Sequence, residues 1–287
     1  MHLLSIVVLY NCKVNESKTI NSLLRAYELM PSLFHGFKLI IYDNSLLCQR
    51  TFLDIPFEYQ YVHNPKNVGL AKAYNYALCV ATESTYKWIL LFDQDTKFGQ
   101  NFLLELTSSA HDMEKDNSIV AWLPKAFYNN TLFSPSKMLW GGVNRPIDIQ
   151  HIGICDFPVT TVGSGVLLRT SFLQVIGGFN EIYWLDCLDR WLFHLIYSLG
   201  KRVYITEAII EHDLSVLDYN KFMTEPRYQN ILKYEALFMK SYNSRYENYF
   251  LLIRLLKRTL ILLVKAKNKQ YAKITFYHII KLIRDML

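Results

Sequence analysis

Two hydrophobic periods alternate along the first hundred residues. Continuous apolar runs at Leu4–Leu9, Phe37–Tyr42, Tyr59–His63 and Trp88–Phe92 read as strands, whereas Ser17–Met30 and Leu70–Thr82 carry apolar residues at helical spacing. Alternation of this kind predicts an α/β fold, with a mostly parallel central sheet covered by helices. Ligands of such sheets bind beyond the carboxyl ends of the strands. Three polar clusters fall there: Tyr10-Asn11, Asp43-Asn44-Ser45 and Asp93-Gln94-Asp95.

The pattern changes after Pro124. From there to Pro158 the chain is rich in Asn, Gly, Ser and Pro and includes Trp140-Gly-Gly142, which predicts a mobile loop and a candidate lid beside a site. Order returns at Thr160–Arg169, where small residues precede an apolar strand. A helix and the turn Gly177-Gly-Phe179 follow, then an amphipathic helix over Leu188–Leu199 ended by Gly200, and a strand at Arg202–Ile205. Beyond Asp218 the text becomes long helical stretches, among them 251–264 and 271–287. This predicts two regions, 1–220 and a helical extension over 221–287.

Charge separates the same two regions. Residues 221–287 hold 14 Lys/Arg against 4 Asp/Glu, and residues 1–220 hold 17 against 21. A mildly acidic body with a basic, apolar tail points to an anionic membrane surface more than to nucleic acid, and no zinc-finger spacing or Gly-rich RNA-binding signature is present. Arg254, Lys257 and Arg258 interrupt the apolar run at 251–264, so a spanning helix is not expected. Two readings of the tail stay open: helices lying in a membrane interface, or ordinary helices packed on the core with snorkelling cations. Five cysteines without a Cys-x-x-Cys pair read as reduced, buried thiols, and Met1–Tyr10 has no basic leader and is too short to span a bilayer. A cytoplasmic protein, peripheral at the inner face of the cell membrane, is the expectation.

Asp93 and Asp95 are the chemistry-bearing pair. Side chains at i and i+2 share one face of an extended segment, so both carboxylates can enter one cavity and hold a hard divalent cation together with substrate phosphates. A solvated turn capping the strand would give the same Asp-x-Asp by itself. Asn67-Val-Gly-Leu-Ala-Lys-Ala-Tyr-Asn75 opens a helix after a strand, where Gly69 permits close approach and the helix N-terminus favours an anion. It is neither the dinucleotide fingerprint nor a P-loop, which weakens oxidoreductase and NTPase readings.

Taken in order, Val7-Val-Leu-Tyr-Asn11, Tyr42-Asp-Asn-Ser45, Asn67 to Asn75, Phe92-Asp-Gln-Asp95, Gly163-Ser-Gly165, Gly177-Gly-Phe179 and Leu185-Asp-Cys-Leu-Asp189 resemble the family 2 glycosyltransferases of the GT-A fold. Asp-Gln-Asp together with Glu211-His-Asp213 is similar to the rhamnosyltransferase-like branch. The resemblance covers roughly residues 3–218. It implies that Tyr10, Asn11, Asp43, Asn67, Gly69, Asn75 and Asp93 contact the nucleotide, and that Asp95, Asp93 and His212 hold Mg²⁺ or Mn²⁺. It further implies Asp189 as the catalytic base, Asp186 as its rival, and Trp184 and Gly165 as acceptor contacts. This chain departs from the family pattern at Leu188 and at Arg190-Trp191, where a Glu and a Thr-Glu-like continuation are usual.

The implied activity is metal-dependent, inverting transfer of one sugar per encounter, with rhamnose from a dTDP donor as the leading choice and a UDP-hexose or UDP-galactofuranose as the alternative. The implied acceptor is a lipid-linked or surface-polysaccharide glycan. A nucleotidyltransferase would also combine an α/β sheet, paired carboxylates and a metal, but the Gly-rich, Lys-bearing loop it needs is missing. A noncatalytic glycan-binding relative would be expected to have lost one of the acids at 93, 95 and 189.

Overall fold

The computed structural model describes residues 2–49, 54–139, 143–213, 223–242 and 245–286. The chain divides into two compact units, one built from 1–137 and 146–213, the other from 138–145 and 214–287. The boundary expected at 220/221 lies outside the described residues.

In the first unit, β1 (Leu3–Leu9), α1 (Lys18–Leu29), β2 (Phe37–Asp43), β3 (Tyr59–His63), α2 (Gly69–Glu83) and β4 (Trp88–Asp93) alternate as the hydrophobic pattern predicts. Then come β5 (Lys97–Phe98), α3 (Gln100–Glu114), β6 (Ile119–Tyr128) and β7 (Thr131–Ser134). The chain continues through β8 (Ser136–Leu139), β9 (Val143–Pro146), β10 (Gly153–Cys155), β11 (Val159–Thr160) and β12 (Val166–Arg169). It closes with α4 (Thr170–Val175), α5 (Leu188–Ser198) and β13 (Arg202–Glu211).

Strand order in the main sheet is β10-β13-β6-β12-β4-β1-β2-β3. β4, β1, β2 and β3 run parallel, as do β13 and β6, while β12 lies antiparallel between β4 and β6. All seven residues of β1 are buried, which explains why Leu3–Leu9 reads as an unbroken apolar run: a central parallel strand is covered on both faces. Ser17 caps α1, its hydroxyl accepting the Ile20 N–H at 3.3 Å, and Ile20, Leu23 and Ala26 turn inward. Phe92, Phe98, Phe102 and Trp122 continue the core, with Phe92 stacked on Phe98 at 5.1 Å between centroids.

Three expectations change. Cys155 is buried, but Cys48 and Cys79 are exposed, Cys79 because it stands on the outer face of α2. The segment from Pro124 to Pro158 is not one irregular loop: it contains half of β6 and all of β7 to β10, although Trp140-Gly-Gly142 lies outside the described residues. Polar residues dominate here because these strands are short, with β9 exposed along its whole length and β7 only partly buried, a pattern that reads like a loop. The strand expected at Arg202–Ile205 continues to Glu211, through a register shift between Ile205 and Ile209 that hides its alternation.

The second unit holds α6 (Glu225–Tyr242), α7 (Arg245–Lys265) and α8 (Gln270–Met286), packed on one another. Leu232, Phe238, Leu251, Leu255, Leu262, Tyr271 and Ile279 are buried. Glu235 accepts from Arg254 at 2.9 Å and Arg258 at 3.0 Å, and Tyr228 Oη bonds Thr275 Oγ1 at 2.6 Å.

Candidate active site

Parallel register brings the polar strand ends together. Leu9 pairs with Asp43 and Val8 with Asp93, so the residues after β1, β2 and β4 leave the sheet at one edge. Asp43 is fully buried and accepts from Ser45 N at 2.9 Å, Gln49 Nε2 at 2.9 Å and Tyr61 Oη at 2.6 Å. Burial and this bond to Asp43 push the Tyr61 phenol well up. Asn11, in the left-handed region with φ 49°, donates its N–H to Ser45 Oγ at 2.9 Å. Tyr10 N–H reaches Gln94 Oε1 at 2.8 Å, and its aromatic side chain is 49% exposed. An exposed aromatic ring and a fixed carboxylate at neighbouring strand ends are the residue types that suit a heterocyclic base and its ribose.

Asp93, Asp95 and His212 form the second cluster, each offering a ligand atom within 4.8 Å of the others. His212 follows β13, held by its N–H to Phe127 O at 3.0 Å. Its Nε2 lies 3.7 Å from Asp93 Oδ2 and its Nδ1 lies 3.4 Å from Asp95 Oδ1. Burial pushes the Asp95 carboxyl up to about 6; His212 opposes this and Asp93 adds to it. Two partly buried carboxylates and an imidazole match the donor set of Mg²⁺ or Mn²⁺, and a cation would relieve the crowding of like charge that raises Asp95. Neighbouring acids are engaged elsewhere: Glu211 with Lys97 at 3.0 Å and Asp213 with Lys18 at 2.5 Å.

Beneath this cluster sits a group of three fully buried hydroxyls that hydrophobic periodicity does not reveal. Thr19 Oγ1 donates to the main chain of Asp93 and accepts the Thr96 N–H at 3.1 Å. Ser164 Oγ accepts the Asp93 N–H at 2.9 Å and lies 2.5 Å from Thr96 Oγ1, which in turn lies 3.0 Å from His212 Nδ1. The Asp93–Asp95 turn and the imidazole are thus tied to one polar knot in an otherwise apolar core.

Asp189 is in the first turn of α5. The Gly163 N–H bonds its carboxylate, and a Cβ at Gly163 would stand 2.6 Å from Asp189 Oδ1. Burial pushes this carboxyl up to about 7, with Asp93 and then Asp186 adding to the effect against the opposing Gly163 bond. Tyr74, fully buried on α2, has a phenol pushed well up by burial and by the charges of Asp93 and Asp189, which places it in the field of both acids. Asp186 is half-buried near Asp189.

The remaining expected residues build scaffold around these acids. Trp184 donates from Nε1 to Asn67 O at 3.2 Å, and its own carbonyl accepts the Leu70 N–H at 2.8 Å. Gly69, at φ +83°, makes this possible, since a Cβ there would lie 2.4 Å from the Trp184 carbonyl oxygen. The Asn75 amide bonds the Phe179 main chain on both sides, at 2.9 Å and 2.7 Å, and reaches Glu181. Gly165 donates its N–H to Leu91 O at 2.7 Å, at the junction with β4.

Residues 5–172 match the family described as Glycosyl transferase family 2. The chain belongs to that family. The matched span contains Tyr10, Asp43, Asp93, Asp95 and Gly163, while Asp186, Asp189 and His212 lie beyond it. Among solved structures, S. aureus TarS 1-349 is similar over 99% of this chain and 81% of that one, at 17% identity and a TM-score of 0.55. The same TarS segment in complex with UDP-GlcNAc gives 15% identity, coverage of 100% and 80%, and a TM-score of 0.56. Full TarS gives 16% identity and a TM-score of 0.52 over 94% of this chain and 46% of that one. At such identities the likeness is one of fold, and that fold is GT-A. The chain matches no curated protein.

Proposed function

We propose that this family 2 glycosyltransferase transfers a sugar from a nucleoside diphosphate donor to a glycan hydroxyl with inversion, and that Asp189 is the base. The observation carrying this reading is the placement of Asp189 within electrostatic reach of Asp93, the acid shared with the Asp95–His212 cluster. Tyr10, Asn11 and Asp43 hold the base and ribose. Asp93, Asp95 and His212 would hold Mg²⁺ or Mn²⁺, which supplies positive charge to the departing diphosphate. Asp189 accepts the acceptor's proton as the acceptor oxygen bonds the anomeric carbon and the bond from that carbon to phosphate oxygen breaks. With its carboxyl brought up to about 7, Asp189 is poised to take a proton near neutrality. The Gly163 N–H aims its oxygens and supports its ionised form.

A pyrimidine donor suits the aromatic and carboxylate at the strand ends. dTDP-rhamnose is the leading donor, supported by the Asp-Gln-Asp and Glu-His-Asp pattern. A UDP-sugar is the second reading, favoured by the UDP-GlcNAc complex of the similarly folded TarS. The acceptor in either case is a lipid-linked or surface glycan. Calorimetric titration with dTDP, UDP and GDP, each with and without Mn²⁺, separates these. Metal-dependent binding of dTDP or UDP is expected, and binding of none would remove the transferase reading. Asp189→Asn should abolish transfer and leave nucleotide affinity within about twofold; a parallel loss of nucleotide affinity would overturn its role as base.

A further inference from the structure

The second unit carries apolar surface that its own packing does not use. α7 buries Leu251, Leu255, Thr259 and Leu262 on one face. On another face Tyr249, Ile253, Leu256, Leu260 and Val264 recur at spacings of four, three, four and four residues, so they form one stripe along the helix. Each is between 48% and 80% exposed, with Leu260 at 66% and Val264 at 80%. α8 repeats the design, burying Tyr271, Ala272, Thr275 and Ile279 while Phe276, Ile280 and Ile283 stand exposed at the same kind of spacing. Soluble surfaces rarely line up so many large apolar side chains without an occupant.

Charge identifies the occupant. Between Tyr249 and Arg284 the sequence holds nine Lys and Arg and no Asp or Glu; Arg254 and Arg258 are paired with Glu235, which leaves seven others. On α7 the exposed Lys257 and Lys265 border the apolar stripe on its Val264 side, so the exposed face carries cations along one margin of its apolar residues. A second copy of this chain would bring cation against cation across such a face. An acidic protein partner would satisfy the charge but leaves the length of the stripe, about 22 Å at 1.5 Å per residue, without a reason. An anionic lipid surface satisfies both, taking the aliphatic and aromatic side chains at the headgroup boundary and the Lys side chains among the phosphates. No helix of the described residues is long and apolar enough to cross a membrane, so these helices would lie on the surface.

We infer that the exposed faces of α7 and α8 dock this transferase on anionic lipid. The inference stands apart from the choice of donor and base, because it rests on the second unit alone. The full chain should co-sediment with phosphatidylcholine vesicles containing roughly 30% phosphatidylglycerol, and about tenfold less with pure phosphatidylcholine. The double variant Ile253→Glu with Leu260→Glu, which alters exposed positions, should lose binding by more than about tenfold while keeping its melting temperature and nucleotide affinity. Absence of wild-type binding to the anionic vesicles, or equal binding by the variant, would overturn the inference. So would a dimer in sedimentation velocity that the same variant dissolves, since the face would then be covered by a second copy.

Discussion

A carboxylate that takes a proton from a hydroxyl works best with a pKa near ambient pH, and burial beside Asp93 brings Asp189 to about 7. Transfer should therefore rise as pH is raised through about 7 and then level off, read as kcat/KM against pH. The same shift sets a stability cost with a definite sign. A folded-state pKa above the unfolded value of 3.8 means that the native protein binds more protons between the two, so stability falls as pH rises from about 4 to about 7. Asp189→Asn, which cannot ionise, should be more stable than wild type by about 1–2 kcal/mol at pH values above about 7 and should lose most of that advantage toward about pH 4. Thermal melts of both proteins across that range measure it. The buried hydroxyls make a separate case. A proton on His212 Nδ1 can be donated to Thr96 and is drawn by Asp95, leaving Nε2 as the nitrogen available to a cation. Thr96→Val should weaken Mn²⁺ binding about tenfold in a direct titration, and Thr96→Ser should restore it.

Helices and strands place these residues through a few close approaches. α2 is clamped to the segment that leads to Asp186 and Asp189 by Gly69 against Trp184 at its start and by Asn75 against Phe179 midway along it. Gly69→Ala adds both a left-handed strain and a collision, and should cost about 2 kcal/mol or more in denaturant unfolding while lowering transfer. The parallel strands and their helices were readable because a buried strand is uniformly apolar and a one-sided helix is periodic; the three polar ends then marked the candidate site. β7 to β10 were not readable, since short strands facing outward lack that signal, and β13 was cut short by its register shift. Asp93, Asp95 and Asp189 stood out as acids in motifs. Thr19, Thr96 and Tyr74 did not: one hydroxyl among many is distinguished only by what the folded chain puts beside it.

At the scale of the molecule, the expected nucleotide, metal and base positions all fall in the first unit, and the apolar and cationic stripes fall in the second. The basic tail seen in the sequence left two readings; Leu251, Leu255 and Leu262 are packed within the protein, as the core-packing reading requires, while Ile253, Leu256 and Leu260 meet solvent. In the first unit, three consecutive residues have a further meaning. Gly163 holds Asp189, Ser164 holds the Asp93 main chain, and Gly165 is fastened to Leu91 of β4. With the roles proposed above, the tripeptide works as a gauge block between the acids assigned to the donor and the acid assigned to the acceptor. Surface segments on either side can then diverge to take new sugars while the gap across which the glycosyl group travels stays the same.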